Sequence, residues 1–168
     1  EGEPLPLFVD DSFTVIADEE KSNRVWAGLQ KKLSTSALSC ITTCWLSELP
    51  HIDTLLFRYI RKAIDSRQSI EVNFADHDVL ELAQIWKKVC AERRRMLQFV
   101  RFQKAADGTF FAAFEPMYNV LALAIPHFKD RFSDQKWIIY DLKRSYGYYY
   151  DLNTVEEITL ETEAAHLV

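Results

Sequence analysis

Hydrophobic and polar positions follow two different periods along the chain, and the change comes after Gln98. Before it, apolar residues recur every three or four positions, which is typical of amphipathic helices. After it they recur mostly every two positions, which is typical of strands. The pattern predicts a mainly helical part over residues 1–98. Residues 99–168 are predicted to form a hairpin, a helix and a three-stranded meander.

The first part predicts four helices, preceded by a short strand at Phe13–Ile16. Asp18 is suited to cap the first helix, and Asp76 is suited to cap the fourth. The second helix is apolar almost all round and is therefore expected to be buried. The predicted bounds are 19–32 for the first helix, Ser34, Thr35 or Ser36 to about Leu46 for the second, Ile52–Ser66 for the third and His77–Gln98 for the fourth. Side chains expected to face inward include Leu38, Ile41 and Trp45 in the second helix, and Val79, Leu82, Ala83, Trp86, Val89, Cys90 and Leu97 in the fourth.

The second part predicts five strands and one helix. The dipeptide Asp107-Gly108 is a hairpin signal between the first two strands, and the second of these is apolar on both faces, as an interior strand would be. The helix is expected to kink or restart at Pro126. The predicted strands are Phe99–Lys104, Thr109–Glu115, Lys136–Leu142, Tyr146–Asp151 and Val155–Glu161, with the helix at Asn119–Phe132. These elements predict an α+β fold, with an N-terminal helical layer packed on a mostly antiparallel sheet of about five strands.

Composition is that of an ordinary globular protein. The chain has 168 residues, of which 48 % are apolar and 27 % charged, so one domain over residues 1–168 is expected. Three cysteines are an odd number, which argues against a disulfide framework and for the reducing cytoplasm. No apolar run reaches the roughly 20 residues that cross a bilayer, so we expect no membrane partner.

Charge is distributed unevenly along the chain. The net charge is −5, yet residues 58–104 contain eleven Lys or Arg against six Asp or Glu. Four of these bases form a stripe along the predicted fourth helix, namely Lys87, Lys88, Arg94 and Arg95. Such a stripe either contacts the phosphates of a nucleic acid or is simply a solvated helix face.

Two other features leave alternatives open. Arg93 lies on the apolar side of the fourth helix, so it is expected either to reach solvent at the helix end or to find a carboxylate. Glu115 and Asp141 are the candidate partners, in a structural salt bridge or in a charged cleft. The segment Lys143–Tyr150 interleaves basic and aromatic residues. Its tyrosines either stack on unpaired bases or pack a sheet face.

Residue patterns that identify a catalyst are absent from the sequence. It contains neither a Gly-x-Ser-x-Gly elbow nor a glycine-rich phosphate loop. Cys40 and Cys44 share a helix face, but the further ligands of a zinc site are not evident, so buried thiols are expected. His127 is either a structural histidine or an acid–base group. We therefore expect neither a cofactor nor a metal.

A set of segments spread over most of the chain forms a recognisable pattern. The segments are Arg95–Phe102, Glu115-Pro116, Asn119–Leu121, Pro126–Phe128, Asp130–Phe132, Asp134–Asp141 and Tyr149-Tyr150, with Val25–Leu33 and Leu46–Pro50 in addition. Together they resemble a bacterial family, the domain of unknown function 4130. The resemblance implies a role in DNA metabolism. It also implies a radical SAM protein as partner and, in some bacteria, fusion to a uracil-DNA-glycosylase-like domain.

The resemblance also selects polar residues as candidates for a site. They are Arg95, Arg101, Glu115, Asn119, His127, Arg131, Asp134 and Asp141. The chain departs from the family pattern at two positions, with Arg94 where His is common and Met117 where Asp is common. Since His and Asp are the types suited to proton transfer or metal binding, these departures argue against a conventional catalyst.

Three hypotheses follow from the sequence. The first is a DNA-repair accessory module, in which Lys87, Lys88, Arg94, Arg95 and Arg101 present a basic face to DNA or to a repair enzyme. The second is a protein–protein adaptor for a radical SAM or uracil-DNA-glycosylase-like partner. The third is an enzyme acting on DNA or a nucleotide, with Glu115, His127 or Asp141 as acid or base.

Overall fold

The computed structural model describes residue 14 and residues 16–159, and the helices come first along the chain. Four helices, α1 (Glu19–Lys32), α2 (Thr35–Trp45), α3 (Ile52–Asp65) and α4 (His77–Phe99), precede the strands β1 (Gln103–Lys104) and β2 (Phe110–Phe114). Helix α5 (Leu121–Arg131) follows, and then β3 (Trp137–Asp141), β4 (Tyr146–Tyr150) and β5 (Val155–Ile158). The predicted α+β class is confirmed, whereas the strand predicted at Phe13–Ile16 falls largely outside the described residues.

Side-chain caps fix where the helices begin. The Asp18 carboxylate accepts the backbone N–H of Lys21 at 2.9 Å, and Asp76 accepts those of Asp78 and Val79 at 2.9 and 3.3 Å. Each bond satisfies a backbone donor that has no partner inside its helix. The predicted starts of α1 and α4 are therefore confirmed by the expected mechanism.

The residues of α2 and α4 that were predicted to face inward are buried or half-buried, with two exceptions. Helix α3 buries Ile52, Leu55, Leu56, Tyr59 and Ala63, whereas Ile64, predicted on the same face, is 42 % exposed. Trp45 in α2 and Trp86 in α4 were expected to face inward, but they are 56 % and 39 % exposed. The reason is that no described element covers them: both indoles line open surface grooves.

The sheet is mixed, with strand order β1-β2-β3-β4-β5. Strands β2 and β3 run parallel with Phe110 opposite Trp137, and the other neighbouring pairs are antiparallel. Parallel neighbours need a crossover, and α5 supplies it. Pro126 lies inside α5 and does not restart it.

The first predicted strand, Phe99–Lys104, is wrong in extent. Phe99 is the last residue of α4, and β1 contains only two residues. Alternation over so few residues does not distinguish a strand from the end of an amphipathic helix. Helix α4 extends to Phe99 because adding one more residue to an existing helix adds a backbone hydrogen bond without a new nucleation step.

One apolar cluster joins the helices to the sheet. It contains Leu55 from α3, Leu82 and Val89 from α4, Phe128 from α5 and Trp137 from β3, all of them buried. The rings of Phe128 and Trp137 meet edge to face at 6.4 Å. Helix α4 therefore has one face in this core, which leaves its opposite face to solvent.

In the part of the chain that the structure describes, no helix is both long enough and apolar enough to cross a membrane.

Candidate nucleic-acid interface

The solvent side of α4 is basic. Lys87, Lys88, Arg94 and Arg95 are all exposed, in two pairs one heptad apart. Among the described residues, the first three have no carboxylate within salt-bridge distance, and only Arg95 has one, Glu92 at 3.3 Å. We call these four residues the basic face.

A groove lies where the C-terminal end of α4 meets the end of β2. Its volume is about 410 Å³. It brings together three sequence-predicted residues that are distant along the chain, Arg95, Arg101 and Glu115. The full lining is Glu92, Arg95, Met96, Phe99, Val100, Arg101, Ala113, Phe114, Glu115 and Pro116, and we call it the α4 groove.

The positions of two groove residues, Phe99 and Arg101, are set by the end of α4. Phe99 is 66 % exposed at the last helical position, one turn after Arg95. The guanidinium of Arg101 donates to the carbonyls of Gln98 and Val100 at 2.9 and 3.1 Å, which satisfies acceptors left free at a helix end. Sequence reasoning missed Phe99 because it assigned this residue to a strand; its i, i+4 spacing from Arg95 was the available signal.

Beside the groove, the Arg144 guanidinium joins three loops. It donates to Glu48 through Nε and Nη2 at 2.8 and 2.6 Å, and to Asp141 through Nη1 at 2.9 Å. It also donates to the carbonyls of Pro116 and Met117 at 3.2 and 3.1 Å. All five N–H groups of the guanidinium are therefore used, so this arginine has a structural role and no donor left for a ligand.

Further hydrogen bonds extend this arrangement, which we call the Arg144 clasp. Asn119 donates to Glu48 at 3.1 Å and accepts from the hydroxyl of Tyr146 at 2.5 Å. Glu92 on α4 accepts the backbone N–H of Met117 at 2.9 Å. Since Glu115 and Pro116 line the α4 groove and Met117 directly follows them, these bonds hold one wall of the groove against the helix.

The clasp contains one buried ion pair, between Arg144 and Asp141, and one at the surface, between Arg144 and Glu48. The hydrogen bond from Arg144 lowers the pKa of Glu48, and burial raises the pKa of Tyr146. Asp141 has no exposed surface, and it also accepts the backbone N–H groups of Lys143 and Arg144 at 2.9 and 3.1 Å. With the bond from the Arg144 guanidinium, the Asp141 carboxylate accepts three hydrogen bonds, which compensate for its burial.

Most of the residues described in this subsection lie within the match to a family model. The model described as a domain of unknown function, DUF4130, matches residues 50–166. The chain belongs to the DUF4130 family. Comparison with curated proteins and with solved structures found no match. The matched part of this DUF4130 chain contains the basic face, the α4 groove and most of the clasp, while Glu48 lies just before it.

The clasp explains several residues that carry the family resemblance. Pro116, Asn119 and Asp141 all belong to it. In the DUF4130 chain these positions hold the fold together beside the groove. Part of the family pattern therefore reflects structure.

Arg93 is placed differently from expectation. Its Nε is buried with no hydrogen-bond partner among the described residues, and it forms no salt bridge there. Neither candidate partner pairs with it. Asp141 forms its ion pair with Arg144, and Glu115 is exposed in the α4 groove. Asp141 takes Arg144 because that arginine lies only three residues further along the same β3–β4 turn.

The three acid–base candidates lie in different surroundings. Glu115 lines the α4 groove, Asp141 is enclosed in the clasp, and His127 is exposed on α5 with its ring against Phe128. Of the other predicted polar residues, Arg131 lies over the ring of Phe132 at 5.7 Å, and Asp134 is exposed.

Three of the four tyrosines in Lys143–Tyr150 have hydroxyl partners within the protein. Tyr146, Tyr148 and Tyr150 each place their hydroxyl against a protein acceptor, respectively Asn119, Glu157 and the carbonyls of Ser133 and Leu152. The sheet-packing alternative therefore describes these three residues.

One group of side chains has the residue types of a metal site. Ligand atoms of His77, Asp78 and Glu81 lie within 4.8 Å of one another at the start of α4. Asp78, however, is engaged by Arg58 at 2.9 Å and by Lys62 at 2.8 Å. Because two cations already neutralise this carboxylate, the arrangement is an ion-pair network that joins α3 to α4, and we assign no metal to it.

Proposed function

We propose that this DUF4130 domain is an accessory module of DNA metabolism or repair that binds DNA through the basic face. The observation that supports this most is a set of exposed cations on α4, Lys87, Lys88 and Arg94, that have no carboxylate partner within the described part of the chain. Cations in that state remain free to neutralise phosphates and release counterions. On a chain of net charge −5, such a cluster directs DNA to one face.

Helical geometry suits the basic face to a phosphate backbone. Residues seven apart on a helix are about 10.5 Å apart along its axis, which corresponds to roughly three base-pair steps of 3.4 Å. The pair Lys87 and Lys88 can thus contact phosphates a few nucleotides from those contacted by Arg94 and Arg95.

The biological setting of the proposal comes from the family resemblance. It points to a bacterial cytoplasmic protein that works with a radical SAM protein or a uracil-DNA-glycosylase-like enzyme, and that partner would supply the chemistry. The three cysteines of the chain are free, which agrees with a reducing compartment.

Salt-dependent DNA binding tests the proposal. Fluorescence anisotropy with a labelled oligonucleotide should show affinity that falls steeply with salt. Replacing both Lys87 and Lys88 by alanine should lower affinity and reduce the slope of log K against log salt by about two. The matched control replaces Arg24 and Lys31, an exposed basic pair one heptad apart on α1, and should bind like the parent protein. Absence of binding at low salt, or equal losses in both double variants, would contradict the proposal.

A protein adaptor is the second candidate, and an apolar groove favours it. The groove lies between α1, α2 and α3, has a volume of about 700 Å³ and includes Trp26, Trp45 and Phe57. Exposed aromatic residues in a group are typical of protein interfaces. A partner enzyme presenting an apolar segment would be the occupant, and DNA would not be needed for the complex.

A further inference from the structure

We propose that the α4 groove holds one unpaired base of single-stranded DNA, with Phe99 as the stacking surface and Arg95 and Arg101 on the neighbouring phosphates. The inference rests on the proposed function and adds that the bound strand is single.

Phe99 has the position that a stacking residue needs. It ends α4 with 66 % of its surface exposed, and it lines the groove. An aromatic face open to solvent can stack on any base, and such stacking is the usual basis of single-strand recognition. In a duplex the same base is inside the helical stack, so Phe99 can reach it only when it is unpaired.

Two guanidinium groups flank this ring in the sequence and in the groove. Arg95 lies one helical turn before Phe99, and Arg101 lies two residues after it. In the described structure Arg101 uses only Nη1, for the carbonyls of Gln98 and Val100. Its Nε and Nη2 donors remain for an incoming phosphate, while Arg95 has a single carboxylate contact at 3.3 Å.

The size and lining of the groove fit a nucleotide. Its volume of about 410 Å³ falls within the roughly 300–1,000 Å³ of small-ligand sites. Met96, Val100 and Phe114 give it an apolar lining, and the exposed Glu115 carboxylate can accept hydrogen bonds from amino groups of a base. Apolar walls with a few polar groups at the rim are what a base with its backbone requires.

The groove is also formed in advance. Arg144 fixes the carbonyls of Pro116 and Met117, and Glu92 on α4 fixes the N–H of Met117. A preformed site loses less freedom on binding than a mobile one.

The other aromatic groove lacks these features. Among its lining residues is Phe57, with an exposure of 67 % that nearly equals that of Phe99. Among the residues that the structure describes, the only charged one lining it is Asp53, and neither an arginine nor a lysine is among them. The α4 groove contains carboxylates as well, but its two arginines can contact phosphates. Without such a cation the aromatic groove cannot take a DNA strand in the same way, and it supplies a matched control.

The test compares three probes of equal length by anisotropy at low salt: a single-stranded oligonucleotide, its duplex, and a strand of abasic sites that keeps the phosphates. The protein should prefer the single strand to both others. Phe99→Ala should lower single-strand affinity about tenfold while changing duplex affinity less than twofold, and Phe99→Trp should restore it. Phe57→Ala should change neither affinity. Circular dichroism of each variant would verify that the helices are intact.

The outcomes separate the two levels of the proposal. If no probe binds, both the proposed function and this inference fail. If all three probes bind equally and Phe99→Ala has no effect, the basic face still binds DNA but the groove does not hold a base. A parallel loss with Phe57→Ala would likewise overturn the assignment to the α4 groove.

Discussion

At the scale of single residues, Arg144 determines how the loops beside the candidate site meet. Its five N–H groups reach two carboxylates and two carbonyls from loops that are far apart in the sequence. A guanidinium can do this because its donors are planar and fixed, whereas a lysine offers one point of charge. Nothing in the local sequence Lys143-Arg144-Ser145 indicates this role, since the acceptors lie up to 96 positions away.

Removing the Arg144 guanidinium should destabilise the protein strongly. Arg144→Met leaves Asp141 buried without its charged partner, so we expect the free energy of unfolding to fall by about 3–5 kcal/mol. Urea denaturation followed by circular dichroism measures it. Lys143→Met is the control, because its exposed amine donates only to the carbonyl of Met117 and its loss should cost less than about 1 kcal/mol. Adding Asp141→Asn to Arg144→Met should recover part of the loss; no recovery would contradict the charge argument.

Acid should weaken the ion-pair network between α3 and α4. Hydrogen bonds from Lys62 lower the pKa of Asp76 and of Asp78 below the ordinary value of an aspartate. A lowered carboxylate pKa means that the stabilisation is present above the unfolded-state value and is lost as pH falls through the folded-state value. The free energy of unfolding should therefore decrease as pH is lowered from about 5 to about 2.

A variant can assign this pH dependence. Asp78→Asn should flatten the acid limb of stability against pH, whereas Asp65→Asn, at an exposed carboxylate paired with Arg61 at 3.4 Å, should leave its slope unchanged. Equal slopes in all three proteins would show that the network does not carry the effect.

At the scale of elements, the strands β3 and β4 approach each other closely at one glycine. A Cβ atom placed on Gly147 would lie 2.5 Å from the carbonyl oxygen of Ile139 and 2.6 Å from Cδ2 of Tyr140. The ring of Tyr140 and the backbone of β3 occupy the space that any other residue would need. The sequence places Gly147 in a strand, but only the pairing of that strand shows why glycine is required.

Gly147→Ala should therefore destabilise the sheet, by roughly 1–3 kcal/mol, which is the usual range for overpacking. Gly28→Ala is the matched control, because Gly28 lies within α1 and the added atom would have no atom of a described residue within 4 Å. That change should stabilise the protein by about 0.5–1 kcal/mol, since alanine favours helix. Thermal unfolding of the two variants in parallel tests the contrast, and a stable Gly147→Ala protein would contradict the close approach.

The types of the elements could be predicted from the sequence, but the extent of the strand predicted at Phe99–Lys104 could not. Caps at Asp18 and Asp76 and the periodicity of α3 are local signals that the structure confirms. Phe99 was predicted in a strand because apolar alternation at a helix end resembles a strand. In the structure it ends α4 and lines the α4 groove, so the wrong assignment concealed a residue of the candidate site.

At the scale of the whole molecule, charged and apolar surfaces occupy different elements. The basic face lies on α4, whereas the exposed aromatic groove lies between α1, α2 and α3. The two surfaces belong to different proposals, the first to DNA and the second to a protein partner. A single protein could use both, because they share no residue.

The exposed aromatic groove should bind an apolar dye in the native state. Fluorescence of anilinonaphthalene sulfonate, which reports exposed apolar surface, should fall by at least half in a Trp45→Gln, Phe57→Gln double variant. Because both side chains are more than half exposed, the free energy of unfolding should change by less than about 1 kcal/mol. Phe99→Gln should leave most of the dye signal; if it removes as much, the dye does not report this groove.

By itself, the sequence determined the kinds and order of the elements, the α+β class and the basic side of α4. Periodicity, caps and charge patterns depend only on residues that are close together in the sequence. The tertiary structure alone decided which distant residues meet. It brought Arg95, Arg101 and Glu115 into one groove. It paired Asp141 with Arg144 and not with Arg93. It also left Trp45 and Trp86 at the surface. The physical reason is that contacts between loops and the covering of a helix face depend on how elements pack in three dimensions, and no local pattern encodes that.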